Sequence, residues 1–269
     1  MPVFWFALSI TPQLNLGRAI IVFILLHAIL YPSSNGYNSY NDRDTESIGG
    51  IAYPMQPTKQ LYYITLVLDF IGFVLSFYIS TIFAGCFLFF IMCSRLYSWR
   101  GLRLKKYPVL GYLLVISNQG SLVFFAIAHG VSSNLTIEVP LLLVVAAGLL
   151  IGGFYPLTQI YQHIQDRKDG VKTISMLLGK RGTFIFCATL YLLAFLCLFK
   201  HFQTQNELTN FWIIQLFFIP VVLYFASWAL KVWNDPDQAN FKNTMRMIWL
   251  ASTCTNLAFI SLLILNHFG

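Results

Sequence analysis

Two polar clusters interrupt a chain that is otherwise mostly apolar. The first, residues 38–46, holds three of the ten carboxylates of the chain within five positions. Asn38, Asp42 and Glu46 recur every four residues, and residues four apart share one face of a helix. Asp44 falls on another side of the same turn. Oxygen ligands on one face suit Mg²⁺, which binds through one or two carboxylates and adds water and phosphate oxygens. The cluster predicts a magnesium site at a helix end; the alternative is an acidic helix end that meets lipid headgroups.

The second cluster, residues 159–170, repeats this geometry less regularly. Gln162 and Asp166 are four residues apart, and Asp169 follows about one turn later. Gly170 then permits a sharp turn, because glycine tolerates conformations that other residues avoid. Taken alone the pair is weak support for a metal site, and its value depends on whether the fold brings it close to the first cluster.

A basic segment, residues 97–106, lies between the two clusters. A diphosphate held by metal ions still carries charge, which Arg and Lys neutralise, Arg through paired hydrogen bonds. A cytoplasmic anchor for anionic lipid would have the same composition. The cations of this segment are Arg100, Arg103, Lys105 and Lys106.

Composition predicts that these clusters are held by membrane helices. The chain is 57% hydrophobic and only 10% charged, with a mean hydropathy of +0.68, whereas a soluble domain is about 25% charged. Long apolar runs without alternation favour helices over a barrel. The fold class is therefore all-α, a polytopic bundle of about nine transmembrane helices. The first is only a partial span, so we expect the natural chain to begin upstream. The segments are approximately 1–11, 16–37, 61–79, 81–97, 108–130, 137–161, 183–202, 211–233 and 246–267.

The positive charges predict the orientation of this bundle. Fifteen of the 17 Lys and Arg residues fall on one side of the predicted segments, and the positive-inside rule assigns that side to the cytoplasm. Both clusters and the basic segment lie there. We therefore expect a multi-pass protein of a bacterial cytoplasmic membrane, with a cytoplasmic N-terminus. The net charge of +7 then reflects topology and not nucleic-acid binding, and the five scattered cysteines are expected to be packing residues.

The clusters together resemble the motifs of one family, the UbiA-type intramembrane prenyltransferases. These are nine-helix proteins with two aspartate-rich motifs on cytoplasmic helix ends, and the resemblance covers essentially the whole chain. The first family motif, NxxxDxxxD, is met by Asn38, Asp42 and Glu46. The second, DxxxD, is met by Gln162 and Asp166. The supporting segments are the basic segment, the Gly-Val-Lys-Thr stretch at 170–173 and Gly179.

Two positions depart from the family pattern. Glu46 stands where the family has Asp, which lengthens the ligand by one methylene. Gln162 replaces the first Asp of the second motif and removes a charge, and an amide oxygen binds a hard dication more weakly than a carboxylate. Asp169 can compensate for this loss.

The resemblance implies one domain, residues 1–269, that transfers an isoprenyl group. Two Mg²⁺ ions would assist ionisation of a prenyl diphosphate within the membrane. A lipophilic or aromatic acceptor, of the kind used in quinone, haem and chlorophyll biosynthesis, would then attack the carbocation. Asp42 and Asp166 would be the catalytic carboxylates. The implied metal ligands are Asn38, Asp42, Glu46, Gln162, Asp166 and Asp169, and the implied diphosphate-binding residues are Arg43, Arg100, Arg103, Lys105, Lys106, Lys172, Asn118 and Tyr97.

Two other functions stay open from the sequence. The charge lost at Gln162 is compatible with a family member that binds a lipid diphosphate without turnover. A membrane transporter would use Asp69, Asn118 and the acidic helix ends, since ionisable groups inside a membrane are usually functional. Transporters often carry internal repeats and broken helices, and the sequence shows no clear repeat.

Overall fold

The protein folds into a bundle of helices. The computed structural model describes residues 1–47 and 50–268. Within these ranges, eight helices are long and apolar enough to cross a membrane, and α1 is about half that length. This confirms the predicted membrane bundle with a partial first helix. The helices are α1 (Pro2–Ile10), α2 (Leu16–Asp42), α3 (Lys59–Ser76), α4 (Thr81–Ser98), α5 (Pro108–Val131), α6 (Leu141–Gln159), α7 (His163–Lys168), α8 (Ile174–Thr204), α9 (Leu208–Asn234) and α10 (Phe241–Phe268).

The connection between α6 and α8 contains helical structure that the sequence analysis left out. The short helix α7 carries the second cluster, and α8 begins at Ile174, well before the predicted start at 183. Thr173 caps α8, because its side chain accepts a hydrogen bond from the Met176 amide. Gly179 then breaks the first turns of α8 with a φ of 70°, a conformation open to glycine. Before the kink, Ser175 of α8 hydrogen-bonds with His163 of α7 at 2.8 Å.

Small residues let α5 and α6 approach closely beside the site. A Cβ placed on Gly120 of α5 would lie 2.6 Å from the Cα of Gly148 on α6. Such small-residue crossings are typical of membrane helices. At the same point α5 widens into π-helical turns over Ile116–Leu122, a distortion common at functional sites. The widened turns carry Asn118 to the inner face of the bundle.

The two ends of the bundle differ: hydrogen bonds join chain segments at one end, and a cleft lies at the other. At one end, the Asn15 amide donates to the Val131 carbonyl at 2.8 Å, and Asn266 Nδ2 donates to the Ser9 carbonyl at 3.0 Å. At the other end, the C-terminal turns of α2, α4 and α6 meet α7 around one cleft. The fold therefore gathers both polar clusters and the basic segment at the same end.

Candidate active site

A polar cleft of about 260 Å³ opens between α2, α4, α5, α6 and α7. Its deeper wall includes apolar side chains from α4 and α5, namely Phe90, Leu114 and Val115. The rest is lined mainly by oxygen- and nitrogen-bearing groups. Of the residues that the sequence singled out, the cleft contains Asn38, Asp42, Asp44, Tyr97, Lys105, Asn118, Gln162, Asp166 and Asp169.

The first motif enters the cleft from the last two turns of α2. Asn38 Oδ1 accepts a hydrogen bond from Ser98 Oγ at 2.6 Å. The Asp42 side chain is only 2% exposed and pairs with Lys105 and, at 3.4 Å, with Arg103. A carboxylate this deeply buried needs such partners, because an unpaired buried charge is costly. Asn38 and Asp42 are thus fixed on one helix face, as their spacing predicts.

The predicted four-residue ladder is wrong for Glu46, because the helix ends at Asp42. Arg43 adopts a left-handed conformation, with a φ of 54°, and this turns the chain away from the helix axis. The Glu46 side chain is 53% exposed and forms an ion pair with Lys168 at 3.2 Å. Asp44, which the helical spacing directs elsewhere, lines the cleft instead.

The second motif lies on α7 and the turn after it. Gln162 precedes α7, and its carbonyl accepts from the Asp166 amide at 2.9 Å. The left-handed Gly170, with a φ of 68°, lets the Val171 amide return to the Asp166 carbonyl at 2.8 Å. This closed turn holds Gln162, Asp166 and Asp169 against the cleft. The second motif therefore faces the first across the cleft.

The pKa values of two carboxyl groups in the cleft, those of Asp44 and Asp166, are raised. Burial, together with Asp42, raises the pKa of Asp44 to about 6. Burial raises the pKa of Asp166 to about 7, while Lys105 opposes the shift. Asp166 Oδ2 is also buried without a hydrogen-bond partner among the described residues. A cation in the cleft would stabilise the charged form of both groups.

The donor set of the cleft fits Mg²⁺ bound together with a phosphate ligand. Among the described residues there is no group of three His, Cys, Asp or Glu side chains placed to hold one ion. Mg²⁺ seldom needs one, since it binds through one or two carboxylates and keeps waters and phosphate oxygens. Asp42, Asp44 and Asp166 supply carboxylates, and the buried Gln159 Oε1, which lacks a partner in the described part of the chain, supplies an amide oxygen.

Arg103 and Lys105 connect the basic segment to both motifs. Arg103 pairs with Asp42 of the first motif and with the Asp169 carboxylate of the second. Its Nη1 also donates to the Asp169 main-chain carbonyl at 3.0 Å. Lys105, with a side chain 11% exposed, pairs with Asp42 inside the cleft. Lys105 is therefore positioned to face an anionic ligand in the cleft, and Arg103 links carboxylates of the two motifs.

Two of the predicted diphosphate-binding cations turn away from the cleft. Arg100 Nε donates to the Asn41 carbonyl at 2.6 Å, so it caps the C-terminal end of α2. The Arg43 guanidinium lies 5.8 Å from the centre of the Tyr40 ring. Helix capping and cation–π stacking thus account for these two side chains.

Lys106 and Lys172 also lie outside the cleft. Lys106 Nζ is 5.0 Å from the centre of the Tyr107 ring and is exposed. Lys172 is exposed between the buried Val171 and Thr173, both of which line the cleft. In this extended stretch neighbouring side chains point in opposite directions, so Lys172 faces outward.

The α6 wall of the cleft holds Tyr155, which the sequence analysis did not single out, and Gln159, the first residue of the second cluster, to which it gave no role. Tyr155 and Gln159 are four residues apart, which places them on one face of α6. This spacing is the signal by which sequence reasoning could have found Tyr155. The hydroxyl of Tyr155 hydrogen-bonds to that of Tyr97.

Asn118 lies on the opposite wall of the cleft. It is 4% exposed, and its Nδ2 donates a long hydrogen bond of 3.4 Å to the Phe90 carbonyl. Its Oδ1 has no partner among the described residues. An unpaired amide oxygen at this depth is expected to meet a ligand or bound water.

Asp69, the intramembrane charge in the transporter hypothesis, does not line this cleft. It pairs with Arg95, whose Nε donates to its carboxylate at 2.8 Å. Ser33 Oγ donates to the same carboxylate at 2.5 Å, and the Arg95 guanidinium lies 3.9 Å from the centre of the Tyr37 ring. These contacts join α2, α3 and α4, which indicates a structural ion pair.

Replacing Asp69 with Ala is expected to lower the free energy of unfolding by up to about 3 kcal/mol, because it leaves the Arg95 side chain, which is 17% exposed, without its counter-charge. The measurement is unfolding of the detergent-solubilised protein. Asp237 is the matched control, since its 94% exposed side chain pairs with Lys180 at 3.4 Å. Asp237→Ala should cause no measurable change. Equal stability of the two variants would contradict the structural role of Asp69.

The bundle and its cleft define a membrane-embedded helical protein with two polar motifs that face each other at one end. The family model of the UbiA prenyltransferase family matches residues 1–265 of the chain. The chain therefore belongs to this family. No curated protein matches the chain in a sequence comparison.

Solved structures of UbiA homologues share the fold. One from Archaeoglobus fulgidus, bound to DMAPP and Mg²⁺, is 18% identical with a TM-score of 0.74, over 98% of this chain and 93% of that one. An apo homologue from Aeropyrum pernix K1 is 18% identical with a TM-score of 0.69, over 98% and 95%. A digeranylgeranylglyceryl phosphate synthase structure is 17% identical with a TM-score of 0.65, over 98% and 91%.

Proposed function

We propose that this protein uses Mg²⁺ to transfer a prenyl group from a prenyl diphosphate to a hydrophobic acceptor in the membrane. One observation carries the proposal: two carboxylate-bearing motifs face each other across one cleft and are bridged by Arg103. Such a site can bind metal ions and a diphosphate at the same time. The A. fulgidus relative, which is described with DMAPP and Mg²⁺ and also with GPP and Mg²⁺, supports the same ligand class.

The proposed roles follow the positions of the side chains. Asp42 and Asp166 are the central metal-binding carboxylates, with Asn38, Gln162 and Asp169 beside them. Lys105 faces the diphosphate from within the cleft, and Arg103 holds the carboxylates of Asp42 and Asp169 in place beside it. We do not assign Glu46, Arg43, Arg100, Lys106 or Lys172 to the site, because their side chains lie outside the cleft.

Positive charge at the site assists cleavage of the prenyl diphosphate. The C–O bond of the prenyl diphosphate breaks, and its electron pair leaves with the diphosphate. Bound Mg²⁺ would supply charge that stabilises this leaving group. Lys105 and Arg103 add fixed positive charge. The acceptor then bonds to the prenyl carbon and releases a proton.

The apolar wall of the cleft protects the reacting prenyl group. Phe90, Leu114 and Val115 line the cleft together with the rings of Tyr97 and Tyr155. Apolar walls limit the access of water to a carbocation, and aromatic faces stabilise positive charge.

The same proposal includes an orientation. The cleft would open to the cytoplasm of a bacterial cell, because the Lys and Arg residues concentrate at that end of the bundle. Residues 1–269 would then act as one domain that takes a water-soluble diphosphate head from one side and lipophilic chains from the membrane.

Binding without turnover is the second candidate, and Gln162 favours it. Its side chain is neutral, and its Nε2 donates to the Tyr161 hydroxyl at 2.9 Å. The second motif therefore has one charge fewer than the DxxxD pattern that it resembles. The transporter function receives no such support, since Asp69 is paired with Arg95.

Purified protein incubated with labelled DMAPP or GPP, Mg²⁺ and a membrane extract is expected to release diphosphate and to form a prenylated lipid. EDTA should stop both. Mg²⁺-dependent binding of the prenyl diphosphate without release would favour the second candidate. No Mg²⁺-dependent binding at all would contradict both functions.

A further inference from the structure

The loop after α2 places its two remaining carboxylates on opposite sides. Asp44 lines the cleft, whereas the Glu46 side chain is 53% exposed outside it. We infer that Asp44, and not Glu46, joins Asp42 as the second carboxylate of the first metal-binding motif. This inference rests on the proposed function, because it names a ligand of the same site. It departs from the regular four-residue pattern that the sequence suggests.

A hydrogen bond across the cleft holds Asp44 in position. Gln165 Nε2, from α7, donates to Asp44 Oδ1 at 2.6 Å. Asp44 thereby joins the loop after α2 to the helix that carries Asp166. An oxygen ligand fixed between the two motifs is well placed to contact an ion that both motifs share, and ligands held by such outer hydrogen bonds bind metals more effectively.

Charge pairing separates Asp44 from most of its neighbours. Asp42 and Asp169 pair with cations of the basic segment, and Glu46 pairs with Lys168. Asp44 and Asp166 form no ion pair with any described residue. Their negative charges therefore lack a counter-charge within the described residues, and a divalent cation bound beside Asp42 would supply it, since carboxylates shielded from water need one.

Two buried amide groups at the same cleft point independently to a ligand. Gln159 is 8% exposed and Asn118 is 4% exposed, and both line the cleft with Asp44 and Asp166. Gln159 Oε1 and Asn118 Oδ1 have no hydrogen-bond partner among the described residues. Buried oxygens without donors are uncommon, and a hydrated cation with its anionic ligand would satisfy them.

The outward position of Glu46 has a local cause. The left-handed turn at Arg43 ends the helix directly after Asp42. Beyond that turn the helical spacing no longer determines which way the side chains point. At the surface, Glu46 forms an ion pair with Lys168 at 3.2 Å. Bringing Glu46 into the cleft would require this turn to become helical and the ion pair to break.

Asp44→Asn and Glu46→Gln are the matched variants for a test. Each removes one charge and keeps the side-chain volume, and the amide oxygen that Asp44→Asn introduces can still accept the hydrogen bond from Gln165. The probe is Mn²⁺ as a substitute for Mg²⁺, followed by electron paramagnetic resonance on the solubilised protein and by competition with Mg²⁺. Unfolding of both variants without metal verifies that they fold as the wild type does.

We expect Asp44→Asn to weaken Mn²⁺ binding by about tenfold or more, and Glu46→Gln to change it less than about twofold. The reverse result, in which Glu46→Gln weakens Mn²⁺ binding and Asp44→Asn leaves it unchanged, would overturn the inference. Glu46 would then be the second carboxylate, as the four-residue spacing predicts. Wild-type binding that neither variant alters would also overturn it while leaving the proposed function standing. If the wild type itself binds neither Mn²⁺ nor prenyl diphosphate, the proposed function fails as well.

Discussion

Replacing Asp42 with Asn is expected to reduce prenyl transfer by more than about 100-fold, a larger loss than removal of an outer-shell partner typically causes. Asp42 combines the strongest burial with the most charge contacts of any motif residue, because its side chain is 2% exposed between Lys105 and Arg103. An amide there keeps the volume but loses the charge that would hold a cation. The measurement is the rate of diphosphate release from labelled DMAPP at saturating Mg²⁺.

The control for this variant must separate catalysis from folding. Without the Asp42 charge, Lys105 and Arg103 face each other in a partly buried space, and like charges repel more strongly there than in water. Adding Lys105→Met to Asp42→Asn relieves the repulsion. The double variant should recover thermal stability but stay inactive. Activity of the single variant close to that of the wild type would contradict the central role of Asp42.

The helices of this fold were predictable because the membrane constrains sequence strongly. Backbone groups in lipid must bond within a helix, so apolar runs of sufficient length fix both the type and the number of the membrane-spanning elements. The same reasoning identifies α1 as partial, since a nine-residue helix is too short to span. Helix direction alone places the two clusters at the same end of the bundle, whereas their closeness depends on how the helices pack.

The error at Glu46 has a local physical origin. Arginine rarely adopts a positive φ, which is usual for glycine and asparagine, so nothing in the sequence marks Arg43 as the end of α2. Its φ of 54° therefore could not be anticipated from residue type. The hydrogen bond from Gln165 to Asp44 spans more than a hundred residues, and no local pattern predicts it.

The basic residues show the same limit of sequence reasoning. Composition identifies the cations of the basic segment but not the direction of each side chain. Arg103 turns inward after its own left-handed φ of 49°, whereas Arg100 caps α2 from outside. Tyr155 could have been found, because its four-residue spacing to Gln159, the first residue of the second cluster, places polar groups on one face of an apolar helix.

Replacing Gln162 with Asp is expected to strengthen Mg²⁺ binding and to raise the rate of prenyl transfer by about tenfold, because metal affinity follows the number of charged ligands. Gln162 lines the cleft four residues before Asp166. The added carboxylate would repel Asp166 in the metal-free protein, and a bound dication would relieve that repulsion. The gain should therefore appear only when the metal is present.

Gln162→Ala completes the experiment, because it removes the amide without adding charge. If the Gln162 amide oxygen is a ligand of Mg²⁺, Gln162→Ala should bind Mg²⁺ more weakly than the wild type, and Gln162→Asp should bind it more strongly. A wild type that binds prenyl diphosphate without turnover, together with an active Gln162→Asp, would show that a single missing charge is what separates binding from catalysis. Equal Mg²⁺ affinity in all three proteins would contradict a metal-binding role for this position, and the ion would then depend on the carboxylates of Asp42, Asp44 and Asp166.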